Sequence, residues 1–126
     1  MVNLEPDEAR LLLNVAMMAI GSNRFQSADS ILAALERFRP NEASLASARA
    51  VLLMSAQNFQ GAVDFIDRVG LVKFPDSAML QAFKGMAYLR MERPGEARAP
   101  LEAAAGQTVD MAAAKLAKDL LSWQIQ

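Results

Sequence analysis

Apolar residues recur along the chain at three- and four-residue intervals, in stretches closed by glycine, proline or short polar runs. That is the period of amphipathic helices, not of strands. The pattern predicts helices near residues 7–20, 25–38, 42–56, 59–70, 76–91, 95–106 and 109–123. Pro40, Pro75 and Pro94 stop or start helices, Gly21, Gly70 and Gly106 stand where left-handed C-terminal caps are wanted, and Asn41, Asp76 and Thr108 are candidate N-caps. Glu5, Asp7 and Glu8 favour the positive end of the first helix. Pro100 would remove a hydrogen bond inside the sixth helix, so a late start near Ala99 or a kink is expected there.

The helices repeat in pairs. Asn23-Arg24-Phe25-Gln26-Ser27-Ala28 returns 34 residues later as Gln57-Asn58-Phe59-Gln60-Gly61-Ala62, and after a further 35 as Glu92-Arg93-Pro94-Gly95-Glu96-Ala97. A small residue upstream keeps step as Ala16, Ala50 and Gly85, a larger one as Ala19, Leu53 and Tyr88, and an apolar one downstream as Leu32, Ile66 and Leu101. Small residues facing each other let the two helices of a pair interlock at short distance. Period and columns resemble the tetratricopeptide (TPR) repeat: the third repeat supplies Gly85, Tyr88, Ala97 and Leu101, the first Ala28, Leu32 and the terminating Pro40. The repeats have drifted. The early tryptophan is missing, Arg49 and Lys84 stand where an apolar residue is usual, and the junction Gly70 to Asp76 is one residue longer. The expected architecture is all-α, a single TPR-like domain over 1–126 with three degenerate helix-turn-helix repeats. A last helix, with Met111, Leu116, Leu120 and Leu121 at helical spacing and Trp123 against the last pair, would cap this α-solenoid.

Composition narrows the function. The residues AVILMFWYC make up 53% of the 126, more than a domain of this size needs, so part of the surplus is expected on the surface. Thirteen basic and fourteen acidic side chains leave a formal charge of -1, without the positive field a phosphate backbone requires, so nucleic acid is not an expected partner. Cysteine and histidine are both absent, which removes disulfides, thiolate catalysis, the usual zinc ligands and the commonest general base. The carboxylate pairs Asp64 with Asp67 and Glu96 with Glu102 come without a nucleophile or metal pattern, and the six glycines are too dispersed for a phosphate loop. Neither enzyme chemistry nor a metal or cofactor is expected. The run Leu11 to Ile20 lacks the basic start of a secretory signal and is too short to cross a bilayer. The reading is a soluble, cytoplasmic chain with no membrane partner.

A binding surface is legible instead. In a repeat of this kind the first helix of each pair lines a concave face, which would carry Leu13, Met17 and Ile20, then Ser47, Val51 and Met54, then Met79, Ala82, Met86 and Leu89. TPR domains that grip a C-terminal carboxylate need lysine and asparagine here, whereas this face is aliphatic and methionine-rich. Unbranched thioethers re-pack around irregular apolar ligands, and an amphipathic helix anchored at i, i+3, i+4 and i+7 is the natural guest. Burying roughly 400 Å² of such a groove would yield on the order of 10 kcal/mol gross, much of it cancelled by ordering and association. Arg90, Arg93 and Arg98 near the third turn read most simply as solvated.

The segment Ala33-Ala34-Leu35-Glu36-Arg37-Phe38-Arg39-Pro40, the later Phe59-Gln60-Gly61-Ala62, and Gly85-Met86-Ala87-Tyr88-Leu89 with Glu96-Ala97 resemble the small TPR-like chaperones of bacterial type III secretion. These are the YscG/PscG needle-chaperone type and its HrpK-type relatives. The resemblance implies a cytoplasmic chaperone whose groove holds the amphipathic C-terminal helix of a needle subunit and blocks premature polymerisation. It also implies a small co-chaperone near the first repeat, with Leu11, Leu12 and Val15 as contacts, a surface equally suited to a homodimer. Without that resemblance the same residues fit a TPR adaptor in another multiprotein assembly.

Overall fold

The computed structural model describes residues 4–107 and 109–125, with side chains up to Ser122. Its helices are α1 (Pro6–Gly21), α2 (Phe25–Phe38), α3 (Ala43–Ser55), α4 (Phe59–Phe65), α5 (Leu71–Lys73), α6 (Ala78–Arg90), α7 (Pro94–Ala105) and α8 (Met111–Ile125), with a π-helical turn, Ile66–Gly70, joining α4 to α5. No strand occurs among the described residues. The chain is all-helical, and the pairing α1 with α2, α3 with α4, α6 with α7 is compatible with an α-solenoid.

Burial follows the repeated columns. Ala16, Ala50, Ala28, Ala62 and Ala97 are sealed, as are Leu32, Ile66 and Leu101. Gly85 is buried too, and a Cβ built on it would lie 2.4 Å from Leu101 Cδ2 and Cγ. The paired helices therefore approach closely because small residues meet there, and a branched aliphatic from the second helix fills the remaining space.

Each of the three hairpins turns in the same way. Asn23, Gln57 and Glu92 adopt left-handed φ values of 61°, 66° and 60°. The following amide donates back to Ala19, Leu53 and Tyr88 (2.8, 2.9 and 2.9 Å), while the left-handed residue donates to Ile20, Met54 and Leu89. This is the Schellman arrangement that satisfies the last carbonyls of a helix. It corrects the expectation that Gly21, Gly70 and Gly106 cap in left-handed geometry, since no described glycine has positive φ. Gly21 closes α1 in open space, and Gly70 instead permits the approach of Leu80, whose Cδ1 would sit 2.9 Å from a Cβ there.

The N-caps also shift. The Ser77 hydroxyl accepts from Leu80 N–H at 3.2 Å, replacing the expected Asp76, and Asn58 accepts from Gly61 N–H at 3.0 Å. Asp110 accepts from Ala113 N–H at 3.0 Å, while the candidate Thr108 lies outside the described residues. Glu42 precedes α3 in the place expected for Asn41, without a side-chain cap. The Glu8 carboxylate accepts from the Glu5 N–H at 3.2 Å, the acidic start anticipated for α1. α7 begins at Pro94, its first helical residue, and runs through a buried Pro100 to Ala105, so the late start near Ala99 does not occur.

The first helices contact one another in sequence, α1 with α3, α3 with α6, α6 with α8, whereas α2, α4 and α7 pack chiefly on first helices and little on each other. The stack therefore curves with the first helices inside. Three apolar clusters follow one another along it: α1 and α2 with Leu45 and Leu52 of α3, then Ala46 and Ala50 with Ile66 and Leu80, then α6, α7 and α8 through Leu101, Ala113, Ala117 and Leu120. α8 closes this end as anticipated, and the Trp123 side chain lies outside the described residues.

Arg49 and Lys84, the two departures from an apolar column, bridge consecutive hairpins. Arg49 donates to Glu36 at 2.7 Å and to Asp29, both on α2, and Lys84 pairs with Asp67 of the π turn at 2.7 Å. Burial works against the Arg49 charge, but hydrogen bonds and charges from Glu36 and Asp29 outweigh it and hold the guanidinium above its ordinary value.

Replacing Gln57 or Glu92 with glycine relieves a left-handed strain of ~1–2 kcal/mol, partly offset by glycine's unfolded-state entropy of ~0.5–1 kcal/mol. Each variant should then gain a few tenths to about 1 kcal/mol in urea unfolding, and Asn23→Gly less, because asparagine tolerates this conformation. Gly85→Ala should instead lose ~1–3 kcal/mol, because the sealed Leu101 cannot withdraw. The exposed Gly95, with nothing within 4 Å of its Cβ position, should accept alanine without loss.

Candidate functional site

The inner face formed by α1, α3 and α6 carries two adjoining clefts. The first, about 490 Å³, is lined by Leu13 and Met17 of α1, by Ser44, Ser47 and Val51 of α3, and by Met79 and Phe83 of α6. The second, about 390 Å³, is lined by Val51 and Met54 of α3, Phe59 of α4, and Phe83, Met86 and Arg90 of α6. Val51 and Phe83 border both, so the clefts form one groove with these two side chains as its waist.

Local sequence explains this surface. On α3, Ser47, Val51 and Met54 fall at i, i+4 and i+7, a single stripe rotated away from the buried Ala46 and Ala50. On α6, Met79, Phe83, Met86 and Arg90 make the equivalent stripe beside the sealed Ala82 and Ala87. Because these helices spend their small residues on pairing, their long unbranched and aromatic side chains are left on the inner face.

Of the ten inner-face residues read from the pattern, Leu13, Met17, Ser47, Val51, Met54, Met79 and Met86 line the clefts. Met17 is 38% exposed and Met54 and Met86 are half-buried, so none of the three is sealed beneath the chain's own side chains. Ile20 is a correction: it is 5% exposed and packs in the first cluster with Leu32, because the last turn of α1 dips towards α2 at the hairpin. Leu89 lines neither cleft; it packs against the third cluster, and its carbonyl accepts from Glu92 in the turn. Ala82 is likewise sealed. Phe83 was missed. It stands four residues after Met79 and three before Met86, the spacing that should have selected it over Ala82.

The groove is nearly uncharged along its walls, with charge at its ends. At one end Arg90 lies over the Phe59 ring at 5.1 Å. At the other, Asp110 is engaged in capping α8. The two further arginines of the third turn are occupied locally: Arg93 over Tyr88 at 5.4 Å and paired with Glu96, Arg98 paired with Glu102. A separate cleft of about 390 Å³ between α1, α2 and α3 shares Leu13 and Ser44 but is walled by Arg39, which is tied to Glu42 and to the Leu4 carbonyl. Leu11, Leu12 and Val15 lie outside the groove on the outer face of α1, 64%, 37% and 42% exposed.

Among the described residues no group of three His, Cys, Asp or Glu side chains is placed to hold a metal ion, and no helix is long and apolar enough to cross a membrane. What the arrangement offers is a preformed apolar trough with adaptable walls. No protein-family model matches the chain, and no curated protein sequence is significantly similar to it.

Proposed function

We propose that this chain is a TPR-like binding protein that holds an amphipathic helix of another protein in the groove between α1, α3 and α6, in the manner of a type III secretion chaperone. The observation that carries this reading is the continuity of apolar wall from Leu13 and Met17 through Val51 and Phe83 to Met54 and Met86. A helix laid along it would present one apolar residue per turn to these side chains and keep its polar face in water. Burial of thioether and aromatic surface supplies the driving force, and the same softness lets the walls close around a ligand of irregular outline.

The chaperone role rests on the resemblance of the helix-pair motifs to needle chaperones and on this groove. The ligand that the resemblance implies is the amphipathic C-terminal helix of a self-polymerising needle subunit; sequestering that helix would keep the subunit monomeric in the cytoplasm until secretion. The chain's part in this is binding and exclusion of water, with no covalent step.

Co-expression with a type III needle subunit should give one stable complex. Met54→Glu and Met86→Glu, at half-buried positions lining the second cleft, should each abolish capture, because a carboxylate would be desolvated by an apolar helix. Circular dichroism should show unchanged helical content. Full capture by both variants would refute the groove, and free polymerisation of the needle subunit in the presence of the wild-type chain would refute the chaperone role.

A further inference from the structure

The repeat register exposes a second surface. Leu11, Val15 and Met18 of α1 occupy the positions held by Leu45, Arg49 and Leu52 in α3 and by Leu80, Lys84 and Ala87 in α6, at the same 34- and 35-residue shifts that relate the hairpin turns. In α3 and α6 these positions are covered by the second helix of the preceding hairpin. Leu45 and Leu52 are 4% and 5% exposed in one cluster with Leu32 and Leu35 of α2, and Leu80 is sealed against Ile66. No described residue stands in front of α1, so Leu11, Val15 and Met18 are 64%, 42% and 71% exposed, flanked by Leu12 at 37%. This is a helix-packing face built to the same plan as two internal interfaces, without its cover.

The middle position identifies what covers it. Where the cover is α2 or the π turn, which present Asp29, Glu36 and Asp67, the central residue is a cation, Arg49 or Lys84. In α1 it is Val15, so the surface laid against it is apolar and uncharged. The other end of the stack does not fit, because α8 turns Lys115, Lys118 and Asp119 outward, which disfavours head-to-tail growth. The α1 stripe itself does fit. Two copies crossing antiparallel place Leu11 and Met18 of one against Met18 and Leu11 of the other, with the two Val15 side chains nearest the axis. The same arrangement sets the acidic start of α1, Asp7 and Glu8, beside the partner's Arg24, a residue with no acidic partner among the described residues.

We infer that this chain forms a two-fold dimer through the outer faces of two α1 helices, independently of the groove. An isologous contact of this kind is self-complementary and closed. Four exposed apolar side chains per copy with their polar surround put it at the low end of specific interfaces, about 1,200 Å² in total.

Sedimentation equilibrium of the purified chain alone, over about a hundredfold range of concentration, should show a reversible monomer–dimer equilibrium. Val15→Lys, a cation where the other two repeats carry Arg49 and Lys84, should weaken dimerisation at least about tenfold by placing like charges at the axis. Mixing Val15→Lys with Val15→Glu should restore a mixed dimer, seen by native mass spectrometry. Val15 is exposed, so both variants should keep their helical content by circular dichroism. Val15→Lys should still capture the groove ligand, and Met54→Glu should still dimerise. A wild-type chain that stays monomeric throughout, including one whose α1 face is taken by a chain of different sequence, overturns the proposal, as does a Val15→Lys variant that dimerises like wild type.

Discussion

The close approach of two helices through facing small residues is the constraint on which the rest depends. Ala16 meets the helix of Ala28, Ala50 that of Ala62, and Gly85 that of Ala97, and at the third pair not even a methyl fits beside Leu101. Interlocking at this distance fixes each hairpin as a rigid unit, and the left-handed residue at Asn23, Gln57 and Glu92 aims the second helix back along the first. Such a hairpin buries one face only, so the next must stack on it, and stacking three in one sense brings the first helices into a common inner row. The groove is a geometric consequence of that row.

The π turn shows how the stack absorbs irregularity. One extra residue in the middle repeat is taken up at Ile66–Gly70 inside the second helix, where Leu71 N–H donates to the Ile66 carbonyl. The register shift changes from 34 to 35 residues, yet the turn, the alanine and the sealed aliphatic of the third hairpin stay in phase with the first two. Gly70 lies at the end of this turn, and its missing side chain admits Leu80. Asp67 on the turn reaches Lys84 of α6, so the irregular segment is also where the second and third hairpins are tied together by charge.

Much of this was readable from residue spacing. Helix existence, helix pairing and the sealed columns follow from a period and from small residues whose role is steric. The longer junction after Gly70 was legible as a length, but a π turn and a loop of the same length look alike in sequence. Glycines were misread as left-handed caps because glycine is the cheapest residue there. This chain places asparagine, glutamine and glutamate in that conformation, held by Schellman bonds that no side chain announces. On the inner face, seven of the ten residues read from the pattern line the clefts, because they share a helical stripe. Ile20 was lost to the hairpin, since a helix end near its turn is covered by the partner helix whatever its nominal face. Phe83 escaped because the stripe on α6 is rotated one residue from the one read through Ala82. The salt bridges of Arg49 and Lys84 were beyond spacing, as they depend on which helix precedes them in space.

An apolar trough lined by methionines can be probed directly through their methyl groups. The chain has eight methionines, of which Met17, Met54, Met79 and Met86 line the groove while Met18 and Met111 are exposed elsewhere. The measurement is a methyl spectrum of methionine-labelled protein titrated with the amphipathic helix of a needle subunit. Met17, Met54, Met79 and Met86 should move together and saturate at one equivalent while Met111 stays fixed. Signals from those four that do not change, or changes confined to methionines outside the groove, would contradict the proposed binding.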